Sequence, residues 1–183
     1  MSKQALIVID VQNDYFPDGR WELANMDAAS ANVGRLLRHY RSRDTPVVHI
    51  RHEFPDAASA PFFAPGSSGA AIHPSAAPVE GEPVLLKHHI NSFRDTALLE
   101  ILRGHGVDEV VICGAMSHMC VDACSRAAND FGFRVTVVHD ACASRDLEFG
   151  GVTVPAAHAH AAFMAALGFA YASMRSTDEV TTA

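Results

Sequence analysis

Long apolar runs are missing from this chain. No stretch approaches the roughly 20 residues of a membrane span, so a transmembrane protein is not expected. Clustered basic residues are missing too. The formal net charge is −7, and the densest group, Arg35, Arg38, Arg41 and Arg43, reads as the solvated face of one predicted helix. Nucleic-acid binding is therefore not expected. Cysteine is scarce. Cys113, Cys120, Cys124 and Cys142 all lie in the second half, inside apolar segments, with no CxxC pair. That pattern argues against a disulfide framework and for reduced thiols in a cytoplasmic protein. No GxGxxG follows the first apolar run, which disfavours a dinucleotide-binding protein. Internal repeats, linkers and heptads are also lacking, so a single domain over 1–183 is expected.

The chain does hold enough apolar material for a core. Hydrophobic residues make up 49% and charged residues 19% of its 183 residues. The start, Met1-Ser2-Lys3-Gln4, runs into an apolar stretch that ends in the carboxylate of Asp10 and reads as a buried strand, not a leader. Asp27 is placed to cap a helix reaching about Arg43, with Val33, Leu36, Leu37 and Tyr40 at helical spacing. Strands are expected over 46–50, 84–87, 109–114, 134–139 and 169–174. Helices are expected from Asp95 or Thr96 to Gly104 or Gly106, over 118–131, and from Pro155 to Gly168. Residues 53–83 are rich in Pro, Gly, Ala and Ser and read as one long loop. Alternating strands and helices with continuous apolar strands predict a parallel α/β sheet covered on both faces.

Ligands bind such sheets beyond the carboxyl ends of the strands. Asp10, Gln12, Asn13 and Asp14 follow the first strand, and His52 follows the second. Lys87 to His89 close the third, and Ser117, His118 and Cys120 follow the fourth. Cys120 opens a helix, where the macrodipole favours thiolate and nearby backbone N–H groups can meet an oxyanion. Its alternative is a buried structural cysteine. Asp10 is otherwise a turn residue, and Lys87 an edge-strand lysine. All three together at strand ends point to catalysis. Phe16, Trp21, Phe54, Phe62 and Phe63 line a pocket, cover a subunit boundary, or pack beneath the long loop.

Eleven histidines raise the question of a metal. His49 and His52 fall on opposite strand faces, and His88 and His89 diverge. His158 and His160 are two apart on a helix, which does not share a face. No dedicated metal site is expected, and no cofactor. Cys113 and Cys124 are expected in the core. Cys142 follows the fifth strand.

Leu6-Ile7-Val8-Ile9-Asp10-Val11-Gln12-Asn13-Asp14-Tyr15-Phe16 resembles the opening signature of the isochorismatase-like cysteine hydrolases, which include nicotinamidases. Lys87 with Asn91-Ser92-Phe93 resembles their lysine segment, and Gly114 to Val121 their nucleophile turn. Arg126 to Gly132 and Asp140 to Ser144 continue the match, which covers essentially the whole chain. The resemblance implies a Rossmann-like three-layer α/β sandwich with a six-stranded, mainly parallel sheet, assembled as homodimers or homotetramers. It implies an Asp10, Lys87 and Cys120 triad and an oxyanion hole from the backbone N–H groups of Met116 and Cys120. It also implies a non-proline cis peptide, placed at Ala115–Met116. Gln12, Phe16, His52, Phe54, Ser117 and His118 are then expected around the substrate.

Two departures narrow the activity. His52-Glu53-Phe54 replaces the Asp-x-His of metal-dependent nicotinamidases, and Cys120 is absent from isochorismatases proper. The expected function is cofactor-free hydrolysis of a small-molecule amide through a thioester on Cys120. The rivals are a thiol-redox protein, a non-catalytic binding protein of the same fold, and an ether hydrolase.

Overall fold

Ala5 to Ile9 is apolar on both faces, and a strand can bury both faces only at the centre of a covered sheet. In the computed structural model, which describes residues 3–182, this segment is β1 (Gln4–Ile9). Met1, Ser2 and Ala183 of the expected 1–183 domain lie outside the described residues. The chain continues through α1 (Met26–Arg41), β2 (Val47–His52), β3 (Val84–Lys87), α2 (Leu98–Gly104) and β4 (Glu109–Ala115). It then forms α3 (Asp122–Asp130), β5 (Arg134–Ala143), β6 (Leu147–Phe149), β7 (Val152–Val154), α4 (Ala156–Ala170), β8 (Ser173–Arg175) and α5 (Thr177–Thr181).

Six strands form one sheet in the order β3-β2-β1-β4-β5-β8, all parallel. The side chains of β1 alternate as a strand must. Leu6 and Val8 enter a core with Val33, Leu36 and Leu37 of α1, which Val180 of α5 also touches. Ala5, Ile7 and Ile9 enter the opposite core, with Leu98 of α2, Cys124 of α3 and Leu167 of α4. Cys113 and Cys124 are both buried, as expected. No helix among the described residues is long and apolar enough to cross a membrane.

Several boundaries differ from the sequence reading. The cap of α1 is Asn25 in a left-handed conformation (φ 60°), and Asp27 lies one residue inside the helix. The helix α4 runs through Gly168 to Ala170. The last strand is accordingly shorter and later than 169–174. The fifth strand extends to Ala143, past a register shift against β4. Besides short 3-10 turns at Asn13–Tyr15 and Pro74–Ala76, two elements were not anticipated. One is the small antiparallel β6–β7 hairpin, turned by Gly150 and Gly151 at positive φ. The other is α5, whose start carries a capping box between Ser176 and Glu179.

The long segment 53–83 is tied down at both ends. Near its start, Asp14 accepts hydrogen bonds from the backbone of Phe63 (2.6 Å) and Arg20 (3.2 Å). At its close, Glu82 accepts two bonds from Arg41, both 2.7 Å, and lies 2.9 Å from His49 Nε2 and from the Val79 amide. Burial alone would raise the Glu82 pKa. The bonds from Arg41, Val79 and His49 outweigh burial and hold it at about 2. A folded-state pKa below the ordinary value contributes stability above pH 4.5, and that stability is lost as pH falls toward 2. Glu82→Gln is therefore expected to flatten the acid limb of a stability–pH curve over that window. An unchanged limb in urea denaturation would contradict this.

Gly114 is required where β4 leaves the sheet. Its φ is +116°, and a Cβ there would stand 2.0 Å from the Ile9 carbonyl oxygen. Gly114→Ala is expected to cost about 3 kcal/mol or more, from a forbidden backbone region plus a clash with backbone. Thermal denaturation checks it, and a loss below about 1 kcal/mol would show that the strand end relaxes freely.

Candidate active site

The strand order reverses between β1 and β4. Successive strands run outward from β1 to β3, then from β4 to β8 on the other side. A crevice opens at such a switch point, beyond the carboxyl ends of the strands. Asp10 leaves β1 there with φ 50°, its N–H bonded to the Ile50 carbonyl (2.9 Å). Aspartate tolerates this left-handed conformation better than most residues. Lys87 ends β3, paired in register with His52 at the end of β2. Beyond β4 the Ala115–Met116 peptide is cis, as the resemblance implied. The following residues, Ser117–Val121, form a single π-helical turn that carries Cys120.

Three polar side chains meet at a nearly buried point. Asp10 is 0% exposed, Lys87 1% and Cys120 3%. The Lys87 ammonium lies 2.8 Å from Asp10 Oδ2 and donates to Cys120 Sγ at 3.3 Å. Its third neighbour is His52 Nδ1, at 3.2 Å. Burial pushes the His52 pKa down to about 4, and the Lys87 charge adds to that effect. The imidazole is therefore neutral near pH 7, with Nδ1 free to accept from lysine. Neither carboxylate oxygen of Asp10 makes a hydrogen bond of regular geometry, although Oδ2 is ion-paired. A buried carboxylate oxygen with spare lone pairs is a proton acceptor waiting for a donor.

Electrostatics corrects one expectation. A helix N-terminus was expected to favour the Cys120 thiolate. Instead, burial pushes the thiol pKa up, the Asp10 charge pushes it further, and Lys87 only partly opposes them. Cys120 rests as a thiol. Burial lowers the Lys87 pKa, but the Asp10 charge and the hydrogen bonds to Asp10 and Cys120 outweigh it and leave the ammonium more firmly protonated than usual.

A cavity of about 870 Å³ opens above Cys120. Among the residues expected around a substrate, His52, Phe54 and His118 line it. Gln12, Phe16 and Ser117 do not. The Gln12 amide is spent on backbone, donating to the carbonyls of His52 (2.8 Å) and Ala70 (2.7 Å) and accepting from His52 N (2.7 Å). It fixes the strand end that carries His52. The Phe16 ring stacks on His73 at 3.6 Å. Ser117 Oγ donates to the Ala143 carbonyl (3.0 Å) and lies 2.8 Å from His160 Nδ1. Trp21 and Phe62 line the cavity, while Phe63 is wholly buried beneath the loop.

The sequence reading missed Tyr15, Arg145 and Phe163, and also Phe149 of the unanticipated hairpin, all of which border the cavity. Tyr15 was legible as the aromatic five residues beyond Asp10. The others had no local signal. His88 Nδ1 turns to the Glu53 carbonyl (2.8 Å) and His89 to Asp95 (3.0 Å), so these two do diverge. Cys142 lines a separate cavity, beside Asn32 and His160. Burial raises the thiol pKa of Cys124 and of Cys142 to about 12, which makes both poor partners for thiol exchange.

A parallel α/β sheet with a buried cysteine, carboxylate and ammonium at its switch point defines a class of hydrolase. The chain belongs to the isochorismatase family, whose domain matches residues 4–175. It is 54% identical to a putative isochorismatase hydrolase from Oleispira antarctica, whose structure superposes with a TM-score of 0.95 over 100% of this chain and 97% of that one. It is 47% identical to the isochorismatase family protein YddQ of Bacillus subtilis, over 95% of this chain and 96% of that protein. It is 33% identical to maleamate amidohydrolase of Pseudomonas putida, over 78% of this chain and 73% of that protein.

Proposed function

We propose that this chain is a cysteine amidohydrolase that cleaves the C–N bond of a small-molecule amide through a thioester on Cys120. The observation that carries this reading is the buried Asp10–Lys87 ion pair, with the Lys87 ammonium also in contact with the Cys120 thiol. The likeness to an amidohydrolase supports the same bond type. An ether hydrolase would give a thiol in this position no task.

The steps use side chains and backbone groups of this chain, and water. Asp10 takes the proton from Cys120 Sγ as the thiolate attacks the carbonyl carbon. Lys87 holds its positive charge against both groups, so the negative charge moves from carboxylate to sulfur without leaving the ammonium. The backbone N–H groups of Met116 and Cys120 receive the developing oxyanion. The C–N bond breaks, and Asp10 gives its proton to the departing nitrogen. Water then loses a proton to Asp10 and attacks the thioester carbonyl. The C–S bond breaks, and the sulfur recovers its proton. His52 accepts one Lys87 N–H, leaving the others aimed at Asp10 and Cys120.

The reading is tested by incubating the protein with a panel of small primary amides, including nicotinamide, pyrazinamide and carbamoyl compounds. Ammonia and the matching acid are expected in equal amounts from at least one. Release of neither from any member would count against it.

A further inference from the structure

The cavity above Cys120 holds a guanidinium that the fold does not neutralise. Arg145 follows β5 and lines the cavity wall. Among the described residues its side chain makes no ion pair and no hydrogen bond. It lies instead over the Trp21 ring, with Cζ 4.0 Å from the ring centroid. Trp21 is stacked in turn on Phe62, at 4.7 Å and 24° between planes. The charge is felt inside the cavity. It opposes the rise of the Tyr15 pKa, which burial and then Cys120 drive up. It also adds to the lowering that burial imposes on His118. Tyr15 is thus within electrostatic reach of both the guanidinium and the nucleophile.

Two carboxylates, Asp146 and Glu148, share the cavity wall, and neither is within ion-pair distance of Arg145. Asp146 Oδ1 accepts from the Ala156 N–H at 2.8 Å, at the start of α4. Glu148 is exposed on the β6–β7 hairpin. A guanidinium held over an aromatic ring can still present forked N–H groups to two carboxylate oxygens. The rest of the wall is mostly apolar and aromatic, with Phe54, Phe62 and Phe163 among it. A cation with no ion-pair partner in a mostly apolar wall is suited to binding one anion.

We propose that Arg145 binds a carboxylate, and that the substrate is an amide acid with an apolar body. The carboxylate would dock on Arg145, the body would lie among the aromatic rings, and the amide carbonyl would stand over Cys120. This rests on the amidase reading for its chemistry but not for its binding test. A neutral amide of the same length fills the same volume and leaves the guanidinium unpaired. The acid is therefore expected to bind about 10- to 100-fold more tightly, as charge-assisted hydrogen bonds do.

The experiment is calorimetric binding to the Cys120→Ala protein, which cannot turn the ligand over by the proposed route. Matched pairs are compared: succinamate with succinamide, adipamate with adipamide, and 4-carbamoylbenzoate with terephthalamide. At least one acid is expected to bind about tenfold or more tightly than its neutral partner. Arg145→Gln in the same background should abolish that preference and leave the neutral amide's affinity unchanged, while Arg145→Lys should keep part of it. No preference in any pair, no binding by any acid, or a preference that survives Arg145→Gln would each overturn the proposal. Acids that bind through Arg145 but are not hydrolysed by the wild-type protein would count against the amidase reading and leave this site standing.

Discussion

Cys120→Ala is expected to lower turnover of any amide this protein hydrolyses by ~10⁴-fold or more while leaving the fold intact. The two parts of this result have different causes. Activity falls because no other nucleophile reaches the carbonyl. Cys124 faces the core behind the site, and Cys142 borders a different cavity. The fold survives because the change removes one sulfur from a spot bordered by an open cavity. It also leaves Lys87 its ion pair with Asp10 and its bond to His52. Urea denaturation and circular dichroism on the variant check the second part. A variant that keeps more than about a hundredth of wild-type activity would show that Cys120 is not the nucleophile.

Asp10→Asn and Lys87→Met are each expected to abolish activity and to destabilise the fold by about 3–5 kcal/mol. Each single change leaves a charge at 0% side-chain exposure with nothing to balance it. The double variant Asp10→Asn/Lys87→Met removes both charges together. It is expected to recover much of the lost stability and none of the activity. That pattern separates catalysis from folding, because a purely structural ion pair would restore both or neither. Strictly additive losses in denaturant unfolding would show that the two charges are not coupled. Recovery of activity in the double variant would remove both from the mechanism.

The parts of the fold that were legible are those with strong periodicity. Ala5 to Ile9 and Val110 to Ala115 are continuous apolar runs, and such runs are central parallel strands almost wherever they occur. The carboxyl ends of those strands then located Asp10 and Cys120 by chain position alone. The fifth strand was cut short because His139 and Asp140 look like a strand end. In the fold, Asp140 bonds the backbone and hydroxyl of Thr177 at 2.8 Å and so sits comfortably within the strand. The β6 and β7 strands are three residues each, too short to show alternation. Gly168 reads as a stop, but a helix tolerates glycine, and Tyr171 closes α4 by bonding Leu167.

The candidate site was legible in its reacting groups and less so in its walls. Position after a strand says that a polar side chain is near the crevice, not where it points. Gln12 shows the difference. It follows β1 as Asp10 does, yet its amide turns inward to hold three backbone groups. Arg145 shows the converse. It lies 25 residues beyond Cys120 by number and reaches the same cavity only because β5 runs beside β4. The resting state of Cys120 was misread for a related reason. Helix position is visible in sequence, but burial beside a carboxylate is a property of the assembled site, and burial dominates.

The most direct test of the central claim is to trap the acyl-enzyme. The protein is mixed with a hydrolysed amide, quenched in acid within the first turnover, digested, and its peptides weighed. The expected result is an added acyl mass on the peptide carrying Cys120, released by hydroxylamine and absent from the Asp10→Asn variant. Steady release of ammonia with unmodified Cys120 at every quench time, or the acyl mass on another residue, would contradict the assignment of Cys120 as the nucleophile.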